Sequence, residues 1–106
     1  MDENLPPPIL AYKDNALVGG LKFAYFRKSK SEEKSLWINA LYVKPSNRRQ
    51  GIAKMLIKKA EAISEITNYM ELFVYTNFPE LYLNLGWELV ESKNDNNTLR
   101  IKLKKL

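Results

Sequence analysis

The feature that most restricts the fold of this chain is an amphipathic helix pattern lying between two short apolar strand patterns. The strands are "LWINALYV" (residues 36–43) and "MELFVY" (residues 70–75), and residues 51–65 between them have helical spacing. A strand–helix–strand run is typical of a right-handed crossover, which joins parallel neighbours. We therefore predict that the two strands lie side by side in parallel. The apolar side of the predicted helix consists of Ile52, Met55, Leu56, Ala60 and Ile63.

The first part of the chain predicts a hairpin. Residues 9–12 and 16–26 have strand character, and Asp14-Asn15 between them is a favourable turn pair. Gly19-Gly20 inside the second strand indicates a bulge or a close backbone approach. Residues 27–35 are polar throughout and predict an exposed loop.

The last part of the chain predicts a short helix and a second hairpin. The helix covers residues 79–85, because it begins with proline and is followed by Gly86, which suits the left-handed position after a helix. Strands at 87–92 and 98–103 then pair across a turn at 94–97. The order β-β-β-α-β-α-β-β predicts an α+β fold with a mixed, largely antiparallel sheet.

The chain contains neither cysteine nor histidine. Disulfides, thiolate nucleophiles, cysteine metal sites, Ser-His-Asp triads and imidazole bases are therefore excluded, and we expect no metal. An enzyme with this composition must move protons with carboxylates, tyrosine, lysine, water or the amine of its substrate.

Length and charge set further expectations. A chain of 106 residues predicts one domain, residues 1–106. The opening "MDENLPPPIL" is acidic and proline-rich where a signal peptide has an apolar core, and the apolar runs are too short to span a membrane. We expect a cytoplasmic protein with no membrane partner. The net charge of +5 favours an anionic ligand without identifying it.

A basic turn precedes the predicted central helix. Arg48, Arg49 and Gly51 stand where free backbone N–H groups and the helix dipole attract anions, and Ala53 keeps the first turn narrow. The turn is competent to hold a pyrophosphate. It is neither a P-loop nor a dinucleotide fingerprint, because the required lysine–hydroxyl pair and the three glycines are missing. On these features alone it is either an anion cradle or an ordinary turn with solvated charges.

Two motifs in order resemble the GNAT N-acetyltransferase superfamily. Arg48-x-x-Gly51-x-Ala53 at a helix start is similar to that family's Arg/Gln-x-x-Gly-x-Gly/Ala acyl-CoA signature. The segment "LYLNLGWELV" resembles its tyrosine-containing helix followed by a glycine, an aromatic residue and a strand. The resemblance covers residues 16–104 and implies an acetyl-CoA-dependent N-acetyltransferase, in which an amine attacks the thioester directly.

The resemblance also implies a set of acetyl-CoA contacts. In this family the strands equivalent to 36–43 and 70–75 splay apart, and pantetheine pairs with the first of them. Backbone groups in the strand would hold pantetheine and the acetyl carbonyl, and amides of the following turn would hold the pyrophosphate. Carried onto this chain, the cofactor-binding residues are Leu41, Tyr42, Val43, Arg48, Arg49, Gln50, Gly51, Ile52, Ala53 and Lys54.

Tyr82 matches the family tyrosine that protonates the departing thiolate, and its alternative role is that of an aromatic residue packing on the sheet. Asn77 is the candidate for an asparagine that often touches CoA, although its interval to Tyr82 is shorter than usual and Pro79 intervenes. The family's glutamate base has no counterpart here, because Trp37 stands at that place and Asn39 is the only polar side chain of the strand. The remaining candidates for the base are Glu32, Glu33, Glu71, Glu80 and water.

The region before the first hairpin departs from the family pattern. GNAT proteins have a strand and two helices there, which wall off the acceptor site, whereas only fifteen residues precede Ala16. We expect an open acceptor site that suits a lysine or N-terminus of another protein better than a small amine. A second subunit of a homodimer is the other source of the missing wall.

Two other functions remain as alternatives. A reduced GNAT domain could bind CoA as a non-catalytic interaction module, which the open acceptor site and the missing glutamate favour. Nucleic-acid binding is a minor alternative that rests on net charge and on basic residues close to aromatic ones. Those residues are Phe23, Tyr25, Phe26, Arg27, Lys28 and Lys30.

Overall fold

The computed structural model describes residues 5–27 and 33–105. Six strands and two helices follow the predicted order, with a 3₁₀ turn at Pro45–Asn47. The elements are β1 (Ile9–Lys13), β2 (Ala16–Arg27), β3 (Lys34–Val43), α1 (Ile52–Ser64), β4 (Glu71–Thr76), α2 (Pro79–Leu83), β5 (Glu88–Lys93) and β6 (Asn96–Lys102).

The strands form one mixed sheet in the order β1-β2-β3-β4-β6-β5. β3 and β4 are parallel, and the other neighbouring pairs are antiparallel. The predicted fold class and the parallel pair joined by α1 are therefore confirmed.

The β1–β2 and β5–β6 hairpins turn on asparagine and aspartate residues with positive φ. Asp14 and Asn15 have φ of 52° and 67°, and Asn94 and Asp95 have φ of 52° and 66°. Positive φ at both central residues matches the right-handed twist of paired strands, which explains the tight two-residue connections. The second turn is shorter than the predicted 94–97, because Asn96 already pairs with Lys93.

α1 packs its apolar side against the sheet, with Leu56, Ile57 and Ala60 in the core. The prediction for Met55 was wrong, because that side chain is 69% exposed, and Ile57 was missed. The buried side is centred on positions 56, 57 and 60, which places residue 55 at its edge. The helix ends against Lys105, whose ammonium group donates to the carbonyls of residues 64, 65 and 67.

Gly19 lies at a close approach between β2 and β3, as the glycine pair predicted. A Cβ atom added there would lie 2.7 Å from the carbonyl oxygen of Tyr42. The pairing of β1 with β2 also shifts register beside it, because Ala11 pairs with Gly19 and Tyr12 with Leu17. Only glycine lets β3 come this close.

The two faces of the sheet differ. Tyr82 of α2 belongs to the same core cluster as Leu56, Ile57 and Ala60 of α1, so in the part of the chain described here both helices lie on one face. The opposite face carries a row of rings. Trp37 stacks on Phe73 at 5.0 Å and meets Phe26 edge-on at 5.3 Å. Neither helix is long and apolar enough to cross a bilayer.

Candidate active site

A cleft opens where β3 separates from β4. The two strands pair only from Leu36 to Ile38 on the β3 side. Asn39 is an extra residue there, because Phe23 of β2 pairs with Ile38 while Lys22 pairs with Ala40. A bulge bends the strand that contains it, so the rest of β3 diverges from β4. The space between them is a cleft of about 750 Å³.

The pairing of β3 with β2 decides which peptide groups point into this cleft. The Lys44 N–H donates to the Val18 carbonyl at 2.8 Å, and Val43 is paired with Gly19. In an antiparallel pair, the N–H and C=O groups of alternate residues point toward the partner strand. Because Lys44 bonds to β2, the peptide groups of Tyr42 also point toward β2, and those of Leu41 and Val43 point away from it. The N–H and C=O of Leu41 and the N–H of Val43 therefore face the cleft.

The start of α1 forms a second hollow of about 220 Å³, which shares Val43, Arg48 and other lining residues with the cleft. The first helical hydrogen bond runs from Met55 N–H to the Gly51 carbonyl at 3.0 Å. The N–H groups of residues 52–54 thus lack helical acceptors, and no side chain caps the helix. Gly51 has φ of 79°, a conformation that favours glycine, and a Cβ there would enter open space.

The polar residues before Gly51 have separate environments. The Arg48 guanidinium Nε donates to the Val43 carbonyl at 3.0 Å, which fixes the end of β3 to the turn. Arg49 has φ of 65° and lines the hollow with an exposed side chain. The Gln50 side chain instead accepts a hydrogen bond from Lys13 Nζ at 3.1 Å and lines neither space.

Tyr82 of α2 lines the cleft from the helix-covered face. It is 3% exposed, and burial raises its pKa from 10.0 to about 12. The phenol is therefore protonated throughout the neutral range and is available as a proton donor.

A family model described as an acetyltransferase (GNAT) domain matches residues 8–89. The chain belongs to the GNAT family. No curated protein matches its sequence.

Solved GNAT structures have the same fold. Arabidopsis thaliana Naa50, in complex with the bisubstrate analogue CoA-Ac-MVNAL, aligns with a TM-score of 0.71 and 18% identity over 89% of this chain and 71% of its own. An acetyltransferase from Bacillus cereus gives 0.74 and 18% over 97% and 79%. The PaiA N-acetyltransferase of Thermoplasma acidophilum, in complex with coenzyme A, gives 0.67 and 21% over 88% and 58%.

Asn77, the asparagine suggested by the sequence, lines the cleft with an exposed side chain. Other cleft residues of this GNAT chain were not suggested by the sequence. Thr76 and Phe78 beside Asn77, Leu81 of α2 and Asn96 of β6 line the cleft as well. Leu81 could have been suggested by its position next to Tyr82. Asn96 is brought in by a hairpin, so local motifs could not reveal it.

The candidate bases lie elsewhere among the residues that the structure describes. Trp37 is stacked on the open face, and its indole N–H donates to Ser35. Glu71 pairs with Arg100 at 3.4 Å, and Glu80 is exposed on α2. Neither they nor Glu33 line the cleft, whose described lining contains no carboxylate. Glu32 lies outside the described residues.

One aromatic residue named for the minor nucleic-acid alternative is not accessible to a ligand, because Phe23 is a core residue that is 5% exposed. Lys28 and Lys30 lie outside the described residues. Within the described ranges, no group of three or more acidic side chains could hold a metal ion.

Proposed function

We propose that this chain is an acetyl-CoA-dependent N-acetyltransferase whose acceptor is an amine on another protein. The separation of β3 from β4 carries the proposal, since it leaves both peptide groups of Leu41 and the N–H of Val43 facing the cleft, opposite Tyr82. Acetyl-CoA supplies the acetyl group as a thioester.

The residues present fit acetyl-CoA at both ends of the cleft. Peptide groups of Leu41 and Val43 would bond pantetheine and the acetyl carbonyl as an added strand does. Tyr42 would contribute only its side chain, because its peptide groups point toward β2. The unpaired N–H groups of residues 52–54, with the Arg49 charge beside them, would hold the pyrophosphate. Asn77 would contact the pantetheine arm from the opposite wall.

Tyr82 would serve as the acid for the leaving thiolate. The acceptor nitrogen forms a bond to the acetyl carbon and loses a proton, the carbon–sulfur bond breaks, and the phenol gives its proton to sulfur. A phenol of pKa about 12 is a weak donor toward a thiolate in water. A thiolate that forms in the same buried surroundings would have its own pKa raised for the same reason, which would reduce the difference in pKa between the two groups.

The acceptor would approach from the face of the sheet opposite the helices. Tyr82 closes the cleft on the helix-covered face, whereas Tyr42 and Tyr75 at its other side are 55% and 61% exposed. The rings of Trp37 and Phe73 at the point where the strands separate offer an apolar platform for a polypeptide. The bisubstrate analogue bound to Arabidopsis Naa50 contains a peptide, which supports a peptide acceptor. The amine proton would leave through water, as no carboxylate is among the described cleft residues.

The test is thiol release from acetyl-CoA, measured with peptides carrying a free N-terminus or an internal lysine and with small polyamines. We expect turnover with a peptide and little above background with small amines. Faster turnover with a small amine would refute the protein acceptor. Tight CoA binding with no turnover on any amine would instead identify a non-catalytic module.

Sedimentation in the presence of the acceptor shows whether the chain forms a homodimer, and specific activity measured over a dilution series shows whether the homodimer is needed. If a second subunit completes the acceptor site, activity per chain should fall on dilution below the dimer dissociation constant. Constant specific activity would show that one chain suffices.

A further inference from the structure

Two contacts fasten the Tyr82 segment to the distant helix α1. The ring of Trp87 meets that of Tyr82 edge-on, with centroids 5.0 Å apart and planes at 67°. The Trp87 indole N–H donates to Glu61 Oε2 at 2.9 Å. Both rings are 3% exposed, and the Glu61 side chain is only 12% exposed.

These contacts matter because α2 cannot fix Tyr82 by itself. The helix has five residues, and Phe78 before it makes no side-chain cap. A helix this short has little stability of its own, so packing sets its position. The Tyr82 carbonyl accepts the N–H groups of Leu85 and Trp87, at 3.0 and 3.1 Å, which ties the chain after α2 back onto Tyr82.

Glu61 links this assembly to the element that would hold CoA. It belongs to α1, whose first residues line the hollow. Neither Glu61 nor Trp87 lines the cleft or the hollow, so any influence on acetyl transfer must pass through Tyr82.

We propose that Glu61 and Trp87 are positioning residues that set the Tyr82 phenol at a fixed place relative to the start of α1. This inference rests on the proposed function. The pair ties the acid to the same rigid helix whose N-terminus would anchor the pyrophosphate. A displacement of about 1 Å at a reacting group can reduce a rate about 100-fold, so a weakened tie should reduce the rate before it affects binding.

The experiment compares Glu61→Leu, which deletes the acceptor, with Glu61→Gln, which keeps an oxygen for the indole N–H. Trp87→Phe deletes the donor and keeps a ring against Tyr82. We expect Glu61→Leu and Trp87→Phe to lower kcat about 10-fold with an unchanged KM for acetyl-CoA. Glu61→Gln should restore most of the rate. Lys58→Met is the matched control, because Lys58 contacts Glu61 at 3.7 Å from the solvent side.

The same changes are then made in Tyr82→Phe protein, where a positioning effect should disappear. Equal losses in both backgrounds would show general damage to the fold and overturn the inference. Wild-type kcat in folded Glu61→Leu and Trp87→Phe would also overturn it. A fully active Tyr82→Phe protein would refute both the role of Tyr82 as the acid and the role of its positioning residues, although acetyl transfer itself would be established.

A second measurement is independent of turnover. Tyrosinate absorbance during an alkaline titration, taken as the difference between each protein and its Tyr82→Phe counterpart, reports the Tyr82 phenol alone. Glu61→Leu should let the pKa of Tyr82 fall from about 12 toward 10, because a loosened segment admits water. An unchanged titration would contradict the tie, even in a protein that transfers no acetyl group.

Discussion

The two ends of the cleft are built in opposite ways. At the start of α1, the hollow depends on local backbone conformation, with positive φ at Arg49 and Gly51 and amides open to solvent. At α2, Tyr82 depends on packing against residues elsewhere in the chain and is buried. The first arrangement suits binding of a charged group, and the second suits a protected proton donor. Changes at the two ends should therefore separate affinity from rate.

The largest effect is expected at Tyr82. Tyr82→Phe keeps the ring and its contact with Trp87 but deletes the proton donor. We expect kcat to fall by about 10²–10⁴-fold, the usual range for a general acid, while the Kd for acetyl-CoA stays unchanged. Steady-state rates and calorimetry on the same protein measure both.

Tyr75→Phe is the matched control, because Tyr75 lines the same cleft from β4 and is exposed. It should keep the wild-type rate. If Tyr82→Phe were stable and fully active, Tyr82 would be a core residue and the thiolate would take its proton from water.

Gly51→Glu should disrupt binding at the other end of the cleft, at the start of α1. Its carboxylate would enter the open space in front of the amides of residues 52–54, where it would clash with and repel a pyrophosphate. We expect the Kd for CoA to rise more than about 100-fold, as for placing like charges together in a partly buried site. Isothermal titration gives the Kd.

Gly51→Asn separates charge from backbone strain, since asparagine is neutral and tolerates positive φ. It should weaken binding far less than Gly51→Glu does. Equal affinity of the glutamate variant and the wild type, both folded, would show that the turn binds no anion.

The contrast between the two ends also explains what the sequence could reveal. The residues that line the hollow between Arg48 and Lys54, which are all but Gln50, lie next to one another in the sequence, so a motif and a helix start were enough to suggest them as a group. Asp14-Asn15 predicted its hairpin for the same reason, because the turn is encoded by the residues that form it. The crossover through α1 likewise predicted the parallel strands.

What the sequence could not reveal depends on distant partners. The bulge at Asn39 exists only through pairing with Lys22 and Phe23, and it decides where the cleft opens. The contact of Trp87 with Glu61 joins residues 26 positions apart. The engagement of Gln50 by Lys13 depends on how the first hairpin meets the turn. Local patterns carry no record of these contacts.

The burial of Tyr82 should also make the stability of the fold depend on alkaline pH. The pKa of Tyr82 is about 12 in the folded chain and about 10 when unfolded, so the neutral phenol favours folding. This contribution is complete below about pH 10 and is lost as pH rises through about 12, because the unfolded chain ionises first. We expect the free energy of unfolding to fall by about 3 kcal/mol more in wild type than in Tyr82→Phe over that interval.

Urea unfolding at pH values across the interval measures the difference. Tyr42→Phe is the control, because Tyr42 is exposed and should give the wild-type curve. If the free energy of unfolding changed with pH in the same way for wild type and Tyr82→Phe, Tyr82 would be accessible to water and not buried.

The smallest effect is expected from Arg49→Ala. The Arg49 side chain lines the hollow from an exposed position, whereas Arg48 is bonded to the end of β3. An exposed charge interacting with a pyrophosphate in water contributes less than about 1 kcal/mol, so the Kd for CoA should rise about two- to fivefold. The loss should shrink at high salt, since screening weakens the wild-type interaction that the variant lacks.

Arg49→Lys keeps the charge and should keep both the affinity and its salt dependence. Titrations at low and high salt would contradict this account if Arg49→Ala lost affinity equally in both, because a backbone change in the turn, rather than charge, would then be responsible.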